Sequence, residues 1–142
     1  MNAPALTLYF DGNCPFCATE MGRLGRWDRA RRLAFVDIAA PGFDPRPLGV
    51  GMDALNREMH SLDAGGKLLV GIDSMVAAYG LAGRAWLVLP LRVPLLRPLL
   101  AALYRQFACR RYAISRLLGY KGGAGPACRD GACARPHPFL KK

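Results

Sequence analysis

Cys14 and Cys17 are separated only by Pro15 and Phe16, and the stretch before them, Leu6-Thr7-Leu8-Tyr9-Phe10, alternates as a half-buried β-strand does. Asp11, Gly12 and Asn13 break that strand with residues suited to tight turns. Pro15 suits the first turn of a helix, where its missing N–H costs nothing. The two thiols therefore sit at the mouth of a strand–turn–helix unit, Cys14 at the helix start and Cys17 about one turn further in. Unpaired N–H groups and the positive end of the helix dipole favour the thiolate of Cys14 there. A thiolate attacks disulfides, and Cys17, on an apolar stripe with Met21 and Leu24, is placed to attack the resulting mixed disulfide and release the product. Asp11, three residues before Cys14, is a candidate for the proton transfers; its simpler role is to close the turn with its side chain. The dithiol is its own redox group, so no organic cofactor is required. Half of a zinc site is the competing reading, and it needs two further ligands.

The run Asp11-Gly12-Asn13-Cys14-Pro15-Phe16-Cys17 resembles the signature of the DCC thiol–disulfide oxidoreductase family, which takes its name from that Asp and those two Cys. Further pieces match in order: Phe35-Val36-Asp37-Ile38, Met59 through Gly66, Gly71-Ile72-Asp73-Ser74 and Cys109-Arg110-Arg111-Tyr112. The resemblance implies a thioredoxin-like fold, disulfide exchange, and a thiol or disulfide substrate that is a protein or a small molecule. It names neither that substrate nor the reductant. Two features depart from thioredoxins and glutaredoxins. Leu55-Asn56-Arg57-Glu58 lacks the proline that those proteins hold in cis before the third strand, and the Val-Pro with which glutaredoxins contact glutathione is missing.

The elements that must position the thiols follow in order. Met21, Leu24 and Trp27 continue the first helix inward, with Arg23, Arg26 and Arg29 on its other side. Leu33 to Ile38 is a second strand, parallel to the first. Proline and glycine between Ala40 and Gly51 mark a loop, and Met52 to Arg57 a short helix. Glu58–Leu62 and Lys67–Gly71 form a hairpin across Asp63-Ala64-Gly65-Gly66. Asp73 or Ser74 caps a helix through about Leu81. The order β-α-β-(α)-β-β-α gives an α/β, thioredoxin-like fold: a central mixed four-stranded sheet flanked by helices. An extra helix from Pro98 to Leu118 follows, with Leu99, Leu103, Phe107, Ile114 and Leu118 facing the core and Arg105, Arg110, Arg111 and Arg116 outward. Cys109 on it reads as a small buried residue. Residues 1–120 form the domain, and 121–142 a flexible tail that opens with Gly122-Gly123-Ala124-Gly125-Pro126. Cys128, Cys133 and His137 on that tail are idle thiols and a histidine, a second dithiol that exchanges with the first, or part of a metal site with His60 or Cys109.

The chain has 142 residues and is 52% hydrophobic, enough for one domain with a core. Five cysteines, an odd number, and no basic-then-apolar leader point to the cytoplasm rather than to a disulfide-stapled secreted protein. A formal charge of +10 reads first as a solvated basic exterior, and otherwise as a basic interaction domain for anionic lipid or nucleic acid in which the dithiol is vestigial. No pattern of aromatics among arginines marks nucleic-acid binding. Trp86 to Leu103 is very apolar but is broken by Arg92, Arg97 and three prolines, so it reads as a connector over the sheet, or as a segment lying weakly on an anionic membrane surface, rather than a span. His60 reads as a satisfied sheet residue.

Overall fold

The computed structural model describes residues 3–119. β1 (Leu6–Phe10) alternates buried and half-buried positions, and its neighbours are fixed by that alternation. It pairs in parallel with β2 (Leu33–Asp37), Leu6 opposite Leu33 and Phe10 opposite Asp37. On its other edge it pairs antiparallel with β3 (His60–Asp63), Tyr9 opposite His60. β4 (Leu68–Val70) closes a mixed sheet of order β2-β1-β3-β4. A parallel β1–β2 pair needs a crossover, which α1 (Pro15–Trp27) supplies. Leu6, Leu8 and Phe10, all on one face of β1, pack with Met21 and Leu24 of α1 and with Ala78 and Ala82 at the end of α3 (Ile72–Leu81). Fully burying a leucine such as Leu8 or Leu24 is worth about 1.5–3 kcal/mol, so this cluster anchors the strand that carries the dithiol.

The predicted strands are all present, with shorter ends. β2 stops at Asp37, and the hairpin strands begin at His60 and Leu68 rather than Glu58 and Lys67. Glu58 instead ends α2 (Met52–Arg57), donating its N–H to Ala54. The Asp63 carboxylate accepts the N–H groups of Gly65 and Lys67 and so draws the turn tight. Neither Asp73 nor Ser74 caps α3. The helix starts after Gly71, in the left-handed region at φ 59, with no side-chain cap. A Cβ at Gly71 would lie 2.7 Å from a Glu58 carboxylate oxygen, which together with its φ explains the glycine. Ser74 points inward, donating to the Leu69 carbonyl and accepting from Ser61, while Asp73 pairs with Arg97.

The largest differences lie after α3. A 3-10 turn (Ala85–Val88) and α4 (Leu89–Arg92) pack on α3 and lead into α5 (Arg97–Leu117). The expected cover over the sheet is not formed: Val88 is buried, but Trp86 and Leu95 are 61% and 91% exposed. α5 is rotated relative to the expected stripe. Ala108 and Ser115 are its buried residues, with Tyr104, Phe107 and Arg111 beside them, while Leu99, Leu103 and Leu118 face outward. The rotation has an electrostatic cause. Arg111 and Tyr104 turn inward to meet polar groups of the dithiol loop and of the chain entering β3, and Leu99 and Leu103, about a quarter to a third of a turn around the helix, turn out. Cys109 is exposed, contrary to its reading as a buried residue, because it lies off the face of α5 that carries Ala108 and Ser115. Among the described residues no single helix is long and apolar enough to cross a membrane. The boundary at residue 120 and the tail residues Cys128, Cys133 and His137 lie outside the described residues.

Candidate active site

The site is built where β1 ends. Cys14 is the N-cap of α1, in extended backbone, with Pro15 opening the first turn as expected. Most N-caps use an oxygen; here the Cys14 sulfur takes that place and accepts the Cys17 N–H at 3.3 Å. Both thiols are free. The Cys17 thiol also donates to the Cys14 sulfur. This bond is the main cause that draws the Cys14 thiol down to about 7, against the opposing effect of its burial; the Cys17 N–H and the Arg111 guanidinium add to it. The same bond, with burial and the nearby Cys14 charge, pushes Cys17 up. The first proton of the pair therefore leaves Cys14 more readily than Cys17.

Asp11, Gly12 and Asn13 fold as a tight loop pinned by hydrogen bonds from both sides. Cys14 donates its N–H to the Asp11 carbonyl. The Asp11 carboxylate, 6% exposed, accepts the Asn13 N–H through Oδ1 at 2.9 Å. Its Oδ2 accepts from Arg111 at 2.9 Å and from the Tyr112 hydroxyl. Burial, with Asp11 beside it, pushes that phenol up to about 12. On the other side, Asp37 at the end of β2 accepts the N–H groups of Gly12 and Ala39, each at 2.8 Å. A Cβ on Gly12 would stand 2.0 Å from Asp37 Oδ2, so the glycine is there for close approach as well as for the turn.

Beyond Cys17 a cavity of about 170 Å³ opens, lined mainly by Phe16, Met21, Leu55, Met59 and Phe107. Phe16 and Phe107 meet edge to face with centroids 5.0 Å apart. Tyr104 spans the cavity wall and accepts the Met59 N–H at 2.9 Å, just before β3. No cis peptide occurs among the described residues, in keeping with the missing proline in that stretch.

Of the residues singled out from the sequence, Asp11, Cys14 and Cys17 come together. His60 does not join them: it is 3% exposed in β3, with Nδ1 at 2.8 Å from the Glu58 carbonyl. Cys109 is also outside the cluster. Among the described residues no three His, Cys, Asp or Glu side chains converge as metal ligands would. Sequence reasoning missed Arg111, Tyr112, Asp37 and Tyr104 as site residues. Arg111 was concealed in a run of arginines assigned to solvent, and its side chain is only 11% exposed. Asp37 falls inside the predicted second strand, and both it and Arg111-Tyr112 stand in matched pieces of the family resemblance, the signal that could have marked them as site residues.

A buried dithiol at a strand–helix junction, with its charge held by a helix N-terminus and an arginine, is the site of a thiol–disulfide protein. The chain belongs to the DCC1-like thiol-disulfide oxidoreductase family, whose model matches residues 8–117. It is also similar to an uncharacterized chloroplastic protein of Arabidopsis thaliana, 24% identical over 83 residues, which cover 57% of this chain. The match spans 39% of that longer relative. No solved structure matches the chain.

Proposed function

We propose that this protein is a thioredoxin-like, cytoplasmic oxidoreductase in which Cys14 attacks a substrate disulfide and Cys17 resolves the product. The element order, βαβ followed by ββα in one mixed sheet, supports the fold reading. The observation that carries the chemistry is the Cys14 sulfur at the N-cap of α1, accepting the Cys17 N–H at 3.3 Å. In the first step the Cys14 thiolate attacks one substrate sulfur, the substrate S–S bond breaks, and one substrate thiolate leaves. In the second, Cys17 gives up its proton to a departing thiolate and attacks the Cys14 sulfur. The Cys14–Cys17 disulfide forms, and the second substrate thiol is released. In this direction two electrons pass from the dithiol to the substrate, and the same steps in reverse carry two electrons from substrate thiols to the Cys14–Cys17 disulfide.

The accessibility of the two thiols runs against their charge: Cys14 is 0% exposed and Cys17 half-buried. The order of attack follows the charge, because only the thiolate is nucleophilic. Access to Cys14 then requires its surroundings to part. Asp11 serves in this scheme as a positioning residue that holds Arg111 near the thiolate, since both of its oxygens are occupied. The substrate is a thiol or disulfide.

Trapping tests the assignment. Cys17→Ser protein should accumulate a mixed disulfide on Cys14 with a model disulfide, and Cys14→Ser protein should lose exchange. Alkylation of Cys14 should rise through about pH 7. Trapping through Cys17 alone would reject the order, and exchange by both variants would reject the activity. The same titration affects stability. With Cys14 lowered from 9.0 to about 7, the unfolded chain binds more protons between those values, so reduced protein gains stability as pH rises from 7 to 9. With Cys17 raised, the native state binds more above 9, and the gain reverses.

A further inference from the structure

We propose that the outer surface formed by the 3-10 turn at Ala85–Val88, α4 and the exposed face of α5 docks on an anionic lipid membrane. Trp86, Leu89, Leu95, Leu99 and Leu103 lie 61%, 54%, 91%, 59% and 57% exposed within eighteen residues of chain. Leucines left in water in such density mark an interaction surface rather than ordinary exposure. Leu99 and Leu103 lie one turn apart on α5, and Leu117, five turns from Leu99, returns to the same line with Gln106, Arg110 and Ala113 between.

The occupant follows from charge. Residues 1–73 carry eight Lys and Arg against nine Asp and Glu, whereas 74–142 carry twelve against one. The basic excess therefore belongs to the part of the chain that carries the exposed leucines. Arg92, Arg105, Arg110 and Arg116 are exposed and make no ion pair with another described residue. Their stems can lie along the leucines while their guanidinium groups reach a negative surface. A second copy would bring the same cationic face and be repelled. Residues 120–142, with five Lys and Arg against one Asp, carry the same sign and are repelled likewise. The helical segments Ala85–Arg92 and Arg97–Leu117 are together apolar enough for a membrane but meet at 115°. That angle suits elements lying in the headgroup region and not a straight span. Trp86 at the edge is the residue type that prefers this depth.

Vesicle flotation tests the proposal with the full chain. Vesicles of about equimolar phosphatidylglycerol and phosphatidylcholine should retain the protein roughly tenfold or more above phosphatidylcholine alone, with retention falling as salt rises. Leu95→Glu/Leu99→Glu replaces two solvent-facing side chains, so thiol exchange and circular dichroism should stay unchanged while retention drops about tenfold or more. Equal retention on both vesicle types, or full retention by the double variant, would overturn the proposal. So would absence of vesicle binding together with a dimer, or with polyglutamate binding, that the double variant abolishes; these outcomes would assign the face to a second copy or to an acidic protein.

Discussion

The two faces of α5 depart from a simple amphipathic division, with polar groups turned in and leucines left out. Its inner face carries Tyr104, Arg111 and Ser115 beside Phe107 and Ala108, and its outer face carries Leu99, Leu103 and Leu117 among Arg105, Arg110 and Arg116. The inner face is polar because it completes a site: Arg111 neutralises Asp11 and lowers the Cys14 thiol, and Tyr104 satisfies the Met59 N–H. The outer face sets exposed leucines among exposed arginines, with nothing among the described residues covering it. The difference teaches that helix orientation here is decided by a few desolvated polar contacts, each of which would leave an uncompensated partner if broken.

The comparison is broken most severely by Arg111→Ala. Removing one partner of this buried pair leaves Asp11 uncompensated and should cost about 3–5 kcal/mol, read from denaturant midpoints. The same variant should shift Cys14 alkylation to higher pH, because a guanidinium that favours the thiolate is gone. Tyr104→Phe keeps the ring but strands the Met59 N–H, for an expected loss of about 1–2 kcal/mol with the thiol titration little moved. Leu103→Gln on the outer face should change stability by no more than about 0.5 kcal/mol. A loss of 2 kcal/mol or more there, on the scale of about 2–5 kcal/mol for a truncated core leucine, would show that the leucine stripe is core after all.

The site was legible where its chemistry is local. The strand Leu6–Phe10, the turn residues, Pro15 and the cysteine spacing place the dithiol at a helix start without any long-range information, and the charge order of the two thiols follows from that placement. The hairpin and α2 were similarly readable from turn residues and alternation. What could not be read is what comes from far along the chain. Asp11 meets Arg111 across 100 residues, and Gly12 meets Asp37 across 25. Periodicity identified a leucine stripe on α5 but carries no sign of which stripe faces inward when an arginine has a buried carboxylate to reach. The exposed segment before α5 failed for a related reason: apolar composition was equated with burial, although its short helices pack on α3 and α5 and leave Trp86 and Leu95 in solvent.

The hydrogen bonds that converge on the Cys14 sulfur have a thermodynamic consequence for the proposed exchange. They are made to a thiolate, and that charge disappears when Cys14 and Cys17 join. Whatever those bonds and Arg111 contribute is therefore present only before the dithiol has given up its electrons. An interaction that favours the reduced form raises the reduction potential, so this arrangement biases the couple toward accepting electrons from other thiols. By the same logic, variants that return Cys14 to an ordinary thiol should make the protein a stronger reductant.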